Sequence, residues 1–61
     1  MFLSCKDANG DKWEIYLERD GWRWSRKASN GRLVGASPQA YADRYSCIEN
    51  ARRNGMQAVP T

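Results

Sequence analysis

Two cysteines, Cys5 and Cys47, and two glutamates spaced to share one face of a strand, Glu14 and Glu18, are the residues that could do covalent or acid–base chemistry. A cysteine attacks as its thiolate, and a neighbouring base, most often histidine, raises the thiolate fraction near neutrality. The chain contains no histidine. Cys47 lies between Tyr45 and Ile48 on the flank of a helical pattern, the setting of a small core residue. Glu14 and Glu18 alternate with Tyr16 opposite Arg23 and Lys27, as cross-strand charge pairs do. Neither G-x-x-x-x-G-K nor G-x-G-x-x-G occurs, so no loop cradles a nucleotide phosphate. A structural zinc site needs about four ligands with close-spaced pairs, and there is no C-x-x-C. The expectation is a non-enzymatic protein with no catalytic residue, cofactor or metal, which acts by binding.

The candidate surface for a partner or for nucleic acid is Tyr16, Arg23, Ser25, Lys27 and Arg32, with Val34 and Ala36 among them. It mixes basic, stacking and apolar groups, and its arginines could reach phosphates or guanine edges. Glu14 and Glu18 on the same face, and a formal charge of only +3, stand against nucleic acid and favour a subunit contact or a solvated face. Trp13, Trp22 and Trp24 could cage a ligand, but a chain with so few large apolar residues needs them as core.

The stretch from Trp13 to Gly31 must position these groups. From Lys12 to Glu18, Trp13, Ile15 and Leu17 alternate with Glu14, Tyr16 and Glu18, the period of a strand. After Arg19-Asp20-Gly21, Trp22, Trp24 and Ala28 alternate with Arg23, Ser25 and Lys27, and Arg26 interrupts the apolar side. A three-residue loop would pair Glu18 with Trp22 and scatter aromatics over both faces; a four-residue loop pairs Leu17 with Trp22 and gathers the large apolar residues on one face. The segregation selects the second. Asn30-Gly31 predicts a type I-prime hairpin that sets Ala28 opposite Leu33. The strand to Ser37 then places Gly35 across from Arg26, where the absent side chain leaves room for the guanidinium.

Beyond Pro38 the period turns helical, with Tyr41, Tyr45, Ile48 and Ala51 or Arg52 three and four apart. Two starts compete, Ser37 with Pro38 at the first helical position, or Asp43 as N-cap. Asn54-Gly55 supplies the stop, with Arg52 and Arg53 in the last turn. The prediction is one α+β domain over residues 1–61, with a three-stranded antiparallel meander over 12–37 packed on one C-terminal helix over 41–54, in the order β-β-β-α. Residues 1–11 are a leader, either an extra strand folding back across the Asn9-Gly10 turn or a frayed arm.

At 61 residues such a chain buries only about 60% of its unfolded surface. With one helix for two sheet faces, the open face and edges invite a second copy, so a homodimer is expected. No apolar run approaches the roughly 18 residues of a membrane span, and nothing marks a secretory signal. The expected location is the cytoplasm, with both thiols free.

W-E-I-Y, G-W-R-W, K-A-S-N-G-R-L-V-G-A-S, then Tyr41 and the helix with Arg44 and Cys47, resemble the YegP-like family of small bacterial domains of unknown function. The resemblance spans about residues 13 to 51 and departs from the family's pattern at Arg26, Arg44 and Ala51. It implies a β-β-β-α module found singly or in tandem, with single copies pairing, and it adds no activity.

Overall fold

The structure is a computed structural model and describes residues 2–61. Its sheet has four strands rather than the three expected, because the leader folds back and pairs. The strands are β1 (Phe2–Lys6), β2 (Lys12–Glu18), β3 (Gly21–Lys27) and β4 (Leu33–Ala36), followed by α1 (Arg44–Arg53). They form an antiparallel meander in the order β1-β2-β3-β4. Met1 lies outside the described residues. What holds β1 is the turn after it. The Asp7 carboxylate accepts the backbone N–H groups of Asn9 (2.9 Å) and Asp11 (3.0 Å), which closes the chain around Gly10 and sets Leu3 opposite Ile15 and Cys5 opposite Trp13.

Between β2 and β3, Leu17 pairs with Trp22 as the segregation of apolar residues requires, and pairing continues to Glu18 and Gly21. The Asn30-Gly31 turn differs from the expectation. No residue other than glycine takes a positive φ among the described residues, so Asn30 does not adopt the type I-prime conformation. Instead Gly31 alone is left-handed (φ +88°), Gly31 N–H donates to Ala28 O (2.8 Å) and Ala28 N–H to Arg32 O (2.8 Å). That three-residue loop pairs Lys27, not Ala28, with Leu33, and a bulge at Val34 restores Gly35 opposite Arg26.

Of the two helix starts, Asp43 prevails. Its backbone is extended and its carboxylate accepts Ser46 N–H at 2.7 Å, so α1 is shorter than the 41–54 expected. Tyr41 is held instead to the start of β3, with Trp22 N–H donating to Tyr41 O (2.7 Å) and Tyr41 N–H to Trp22 O (2.8 Å). At the other end Asn54 caps the helix, and Met56 N–H donates to Ala51 O (3.1 Å) past the left-handed Gly55.

α1 packs over β3. Trp13, Ile15, Trp24, Cys47, Ala51 and Met56 form the core, with Leu3, Cys5, Trp22, Tyr41 and Ile48 packed around it. The indoles of Trp13 and Trp24 meet at 5.3 Å with planes tilted by 42°, an arrangement that adds about 0.5–1.5 kcal/mol to area burial. Trp24 Nε1–H donates to Asn50 Oδ1 at 2.8 Å, which ties the sheet to the helix. The tail returns beside β1, where Ser4 and Thr61 exchange two backbone hydrogen bonds of 3.0 Å. Among the described residues no helix is long and apolar enough to cross a membrane.

Candidate functional site

Among the described residues the face of the sheet away from α1 has no element over it, and its side chains follow from the register. At one end Phe2, Tyr16 and Arg23 lie opposite one another on β1, β2 and β3; at the other end Lys6, Lys12 and Lys27 do the same. Between the two rows sit Ser4, Glu14, Ser25 and Ala36. Glu14 is the acid among the lysines, with its carboxylate 3.3 Å from Lys27 Nζ and 3.9 Å from Lys12 Nζ. A depression of about 360 Å³ opens at the lysine end, bordered by the three lysines and by Gly10, Ser29 and Gly31 from the two turns there.

Of the residues singled out from sequence, Tyr16, Arg23, Ser25 and Lys27 do share this face, but they do not form one cluster. Tyr16 and Arg23 belong to one end and Lys27 to the other. Arg23 is paired, with Nη2 2.6 Å from Asp20 Oδ2. That bond holds the Asp20 carboxyl below the usual range and raises the guanidinium. Ser25 is 8% exposed and presents little surface. Arg32 lies in the turn before β4 rather than on the strand, its N–H donating to Asn30 Oδ1 (2.9 Å). Val34 is the bulge residue. Lys6 and Lys12 were missed: Lys6 joins the site only when β1 is paired, whereas Lys12 falls opposite Lys27 in the register already expected for β2 and β3.

A second polar group lies on the core side. Arg26, which breaks the apolar alternation of β3, does not occupy space left by Gly35. A Cβ at Gly35 would stand in ordinary contact with the Trp24 ring at 3.6 Å and with Arg26 Cβ at 3.7 Å. The Arg26 guanidinium reaches the turn after β1 instead, where Nε and Nη2 each lie 2.8 Å from Asp11 Oδ2 and Nη2 lies 3.7 Å from Asp7 Oδ2. It also stands 4.9 Å above the Trp13 ring. Asp7 Oδ2 accepts Trp13 Nε1–H at 3.0 Å, and this bond, more than the nearby guanidinium, holds the Asp7 carboxyl below the usual range. The cluster is a brace between the first hairpin and β3, and it satisfies the groups it buries.

Cys47 is fully buried, and burial pushes its thiol up to about 11, so it is the core residue its flank position implied. Burial, then the Asp7 charge, raises Cys5 as well. A wider hollow beside the helix is bordered by Gln39, Tyr41, Tyr45, Glu49 and Arg53, open to solvent and polar.

An antiparallel four-stranded meander with one helix on one face and a lysine-edged open face on the other defines a small two-layer α+β domain. Compared with protein-family models, curated proteins and solved structures, the chain gives no match.

Proposed function

We propose that the protein is a non-enzymatic interaction module of the YegP-like kind and that it works as a homodimer in the cytoplasm. The observation that carries the reading is the difference between the two edges of the sheet. At the middle of the outer edge of β1, Ser4 exchanges two backbone hydrogen bonds with Thr61, whereas among the described residues no backbone hydrogen bond reaches β4 from its outer side. The strand L-V-G-A carries no charge, and Leu33 and Val34 are 58% and 52% exposed. Exposed edges are ordinarily guarded by charged side chains or proline, and an unguarded one templates a further strand. A second β4 laid antiparallel about a two-fold axis makes each copy's edge complementary to the other.

The short, bulged strand limits the seam to a few hydrogen bonds, at the small end of interface sizes, below about 1,200 Å². Such a dimer dissociates on dilution. Sedimentation velocity from millimolar to low micromolar protein tests it, with a shift from dimer to monomer mass expected and abolished by Val34→Lys. Monomer mass at every concentration would refute the reading. Edge pairing leaves the open face uncovered in both copies.

A further inference from the structure

We propose that the open face of the sheet binds single-stranded nucleic acid, with the row Lys6–Lys12–Lys27 holding phosphates and the pair Phe2 and Tyr16 stacking bases. The inference does not depend on pairing between copies.

Its first support is the register itself. Lys6 is the partner of Lys12, and Lys12 is the partner of Lys27, so three ammonium groups project side by side from neighbouring strands. Like charges directly opposite one another across strands cost stability. Glu14 offsets part of this by reaching Lys12 and Lys27, while Lys6 makes no ion pair among the described residues. The acids nearest in sequence do not help. Asp7 and Asp11 flank Lys6 and Lys12 but are engaged on the opposite side of the sheet with Trp13 and Arg26. The positive charge left after Glu14 therefore faces outward, and among the described residues Lys6 has no ionic partner.

The second support is the shape of the surroundings. The lysines border a depression whose far rim is made by two turns with glycines at positive φ, Gly10 (+83°) and Gly31 (+88°). A Cβ at Gly31 would meet nothing within 4 Å, so no side chain closes the rim there. Ser29 on the same rim makes no side-chain hydrogen bond among the described residues, which leaves its hydroxyl for an anionic oxygen.

The third support separates a strand from a simple anion. Along β2, four residues from Lys12, stands Tyr16, and opposite it Phe2 is 55% exposed. At about 3.3 Å per residue the two rows lie about 13 Å apart, a distance a short stretch of extended strand covers. Aromatic side chains beside a cationic groove are the parts that bind single strands without sequence preference, because every unpaired base offers a face to stack. A duplex keeps those faces covered.

The test is fluorescence anisotropy with a short fluorescein-labelled oligouridylate, compared with its duplex with oligoadenylate and with competition by inorganic diphosphate. Three phosphates neutralised on a single strand give a slope of log K against log salt of about −2, and Lys12→Gln reduces its magnitude by about 0.7. Phe2→Ala weakens binding about tenfold, the lower range for one lost base stack. Because Lys12→Gln relieves repulsion, its melting temperature does not fall, which keeps the variant interpretable. Equal affinity for duplex and single strand would overturn the proposal. So would a Phe2→Ala variant that binds as the unaltered protein does while diphosphate displaces the strand, since that marks an anion site only. No binding at low salt ends it outright.

Discussion

Gly21→Ala is the substitution for which the structure gives the sharpest expectation. Gly21 opens β3 with φ +134°, a conformation L side chains rarely adopt, and a Cβ there would stand 2.6 Å from the Tyr41 carbonyl oxygen and 3.3 Å from Ala40 Cβ. That carbonyl accepts the Trp22 N–H at 2.7 Å, so the added methyl must displace the acceptor of the bond that docks residue 41 onto the sheet. Backbone strain of this kind costs about 1–3 kcal/mol, and the two bonds between Trp22 and Tyr41 are worth about 0.5–1.5 kcal/mol each. With partial relaxation the loss is roughly 2–4 kcal/mol, set against about 3–9 kcal/mol for a domain of this length. At about 4–8 °C per kcal/mol, the melting temperature falls by roughly 10–25 °C. Gly31→Ala is the internal control, because φ is +88° there with nothing within 4 Å of the new methyl. Strain alone costs about 1–2 kcal/mol at such a position. Circular-dichroism melts of both variants decide the matter. If Gly21→Ala melts within a few degrees of Gly31→Ala, the Tyr41 carbonyl is not seated where the structure puts it and the bridge is not formed.

Asp43→Ala removes the cap of α1 and costs about 0.5–2 kcal/mol, read as a lower urea midpoint with an unchanged slope. The Asp7 carboxyl is held low mainly by the Trp13 indole N–H, so its contribution to stability is whole above the unfolded-state value of about 3.9 and is lost as pH falls through the lower native value. Melts from neutral pH downward should therefore drop more steeply below about pH 4 in the unaltered protein than in Asp7→Asn. Cys47, buried with its thiol raised to about 11, resists a disulfide reagent at pH about 8 until the protein unfolds, as thiolate chemistry requires. Labelling at the rate of a free peptide cysteine would mean the core does not close over it.

The hairpin of β2 and β3 was legible because a slip of one residue would have put Trp13 on one face and Trp22 and Trp24 on the other; segregation of Trp13, Ile15, Trp22 and Trp24 left one register. The stop at Asn54-Gly55 was legible from turn chemistry alone. What escaped depends on side chains far apart in sequence. F-L-S-C-K is too short to announce a strand, and it is fixed by Asp7 folding the next turn. Arg26 reads as a fault in an apolar stripe until Asp7 and Asp11 are brought over it. The Asn30-Gly31 turn was placed correctly and typed wrongly, since the bulge at Val34 let Gly35 keep its pairing with Arg26 without asking Asn30 for a positive φ. Because β1 carries Lys6, the full row of three could not be seen before the leader was paired, although Lys12 opposite Lys27 follows from the β2–β3 register. Tyr16, Arg23, Ser25 and Lys27, chosen on β2 and β3, thus share one face of the sheet but take in only one lysine of the row.

The bonds between Ser4 and Thr61 act as a latch on one side of the sheet. With it fastened, the pair proposed through β4 is expected to stop at two copies, since Thr61 already occupies Ser4 at the middle of each outer margin. Cutting away the last few residues would present two unlike adhesive margins on every molecule. Contacts between unlike margins do not close on themselves, so the trimmed protein is expected to grow into filaments.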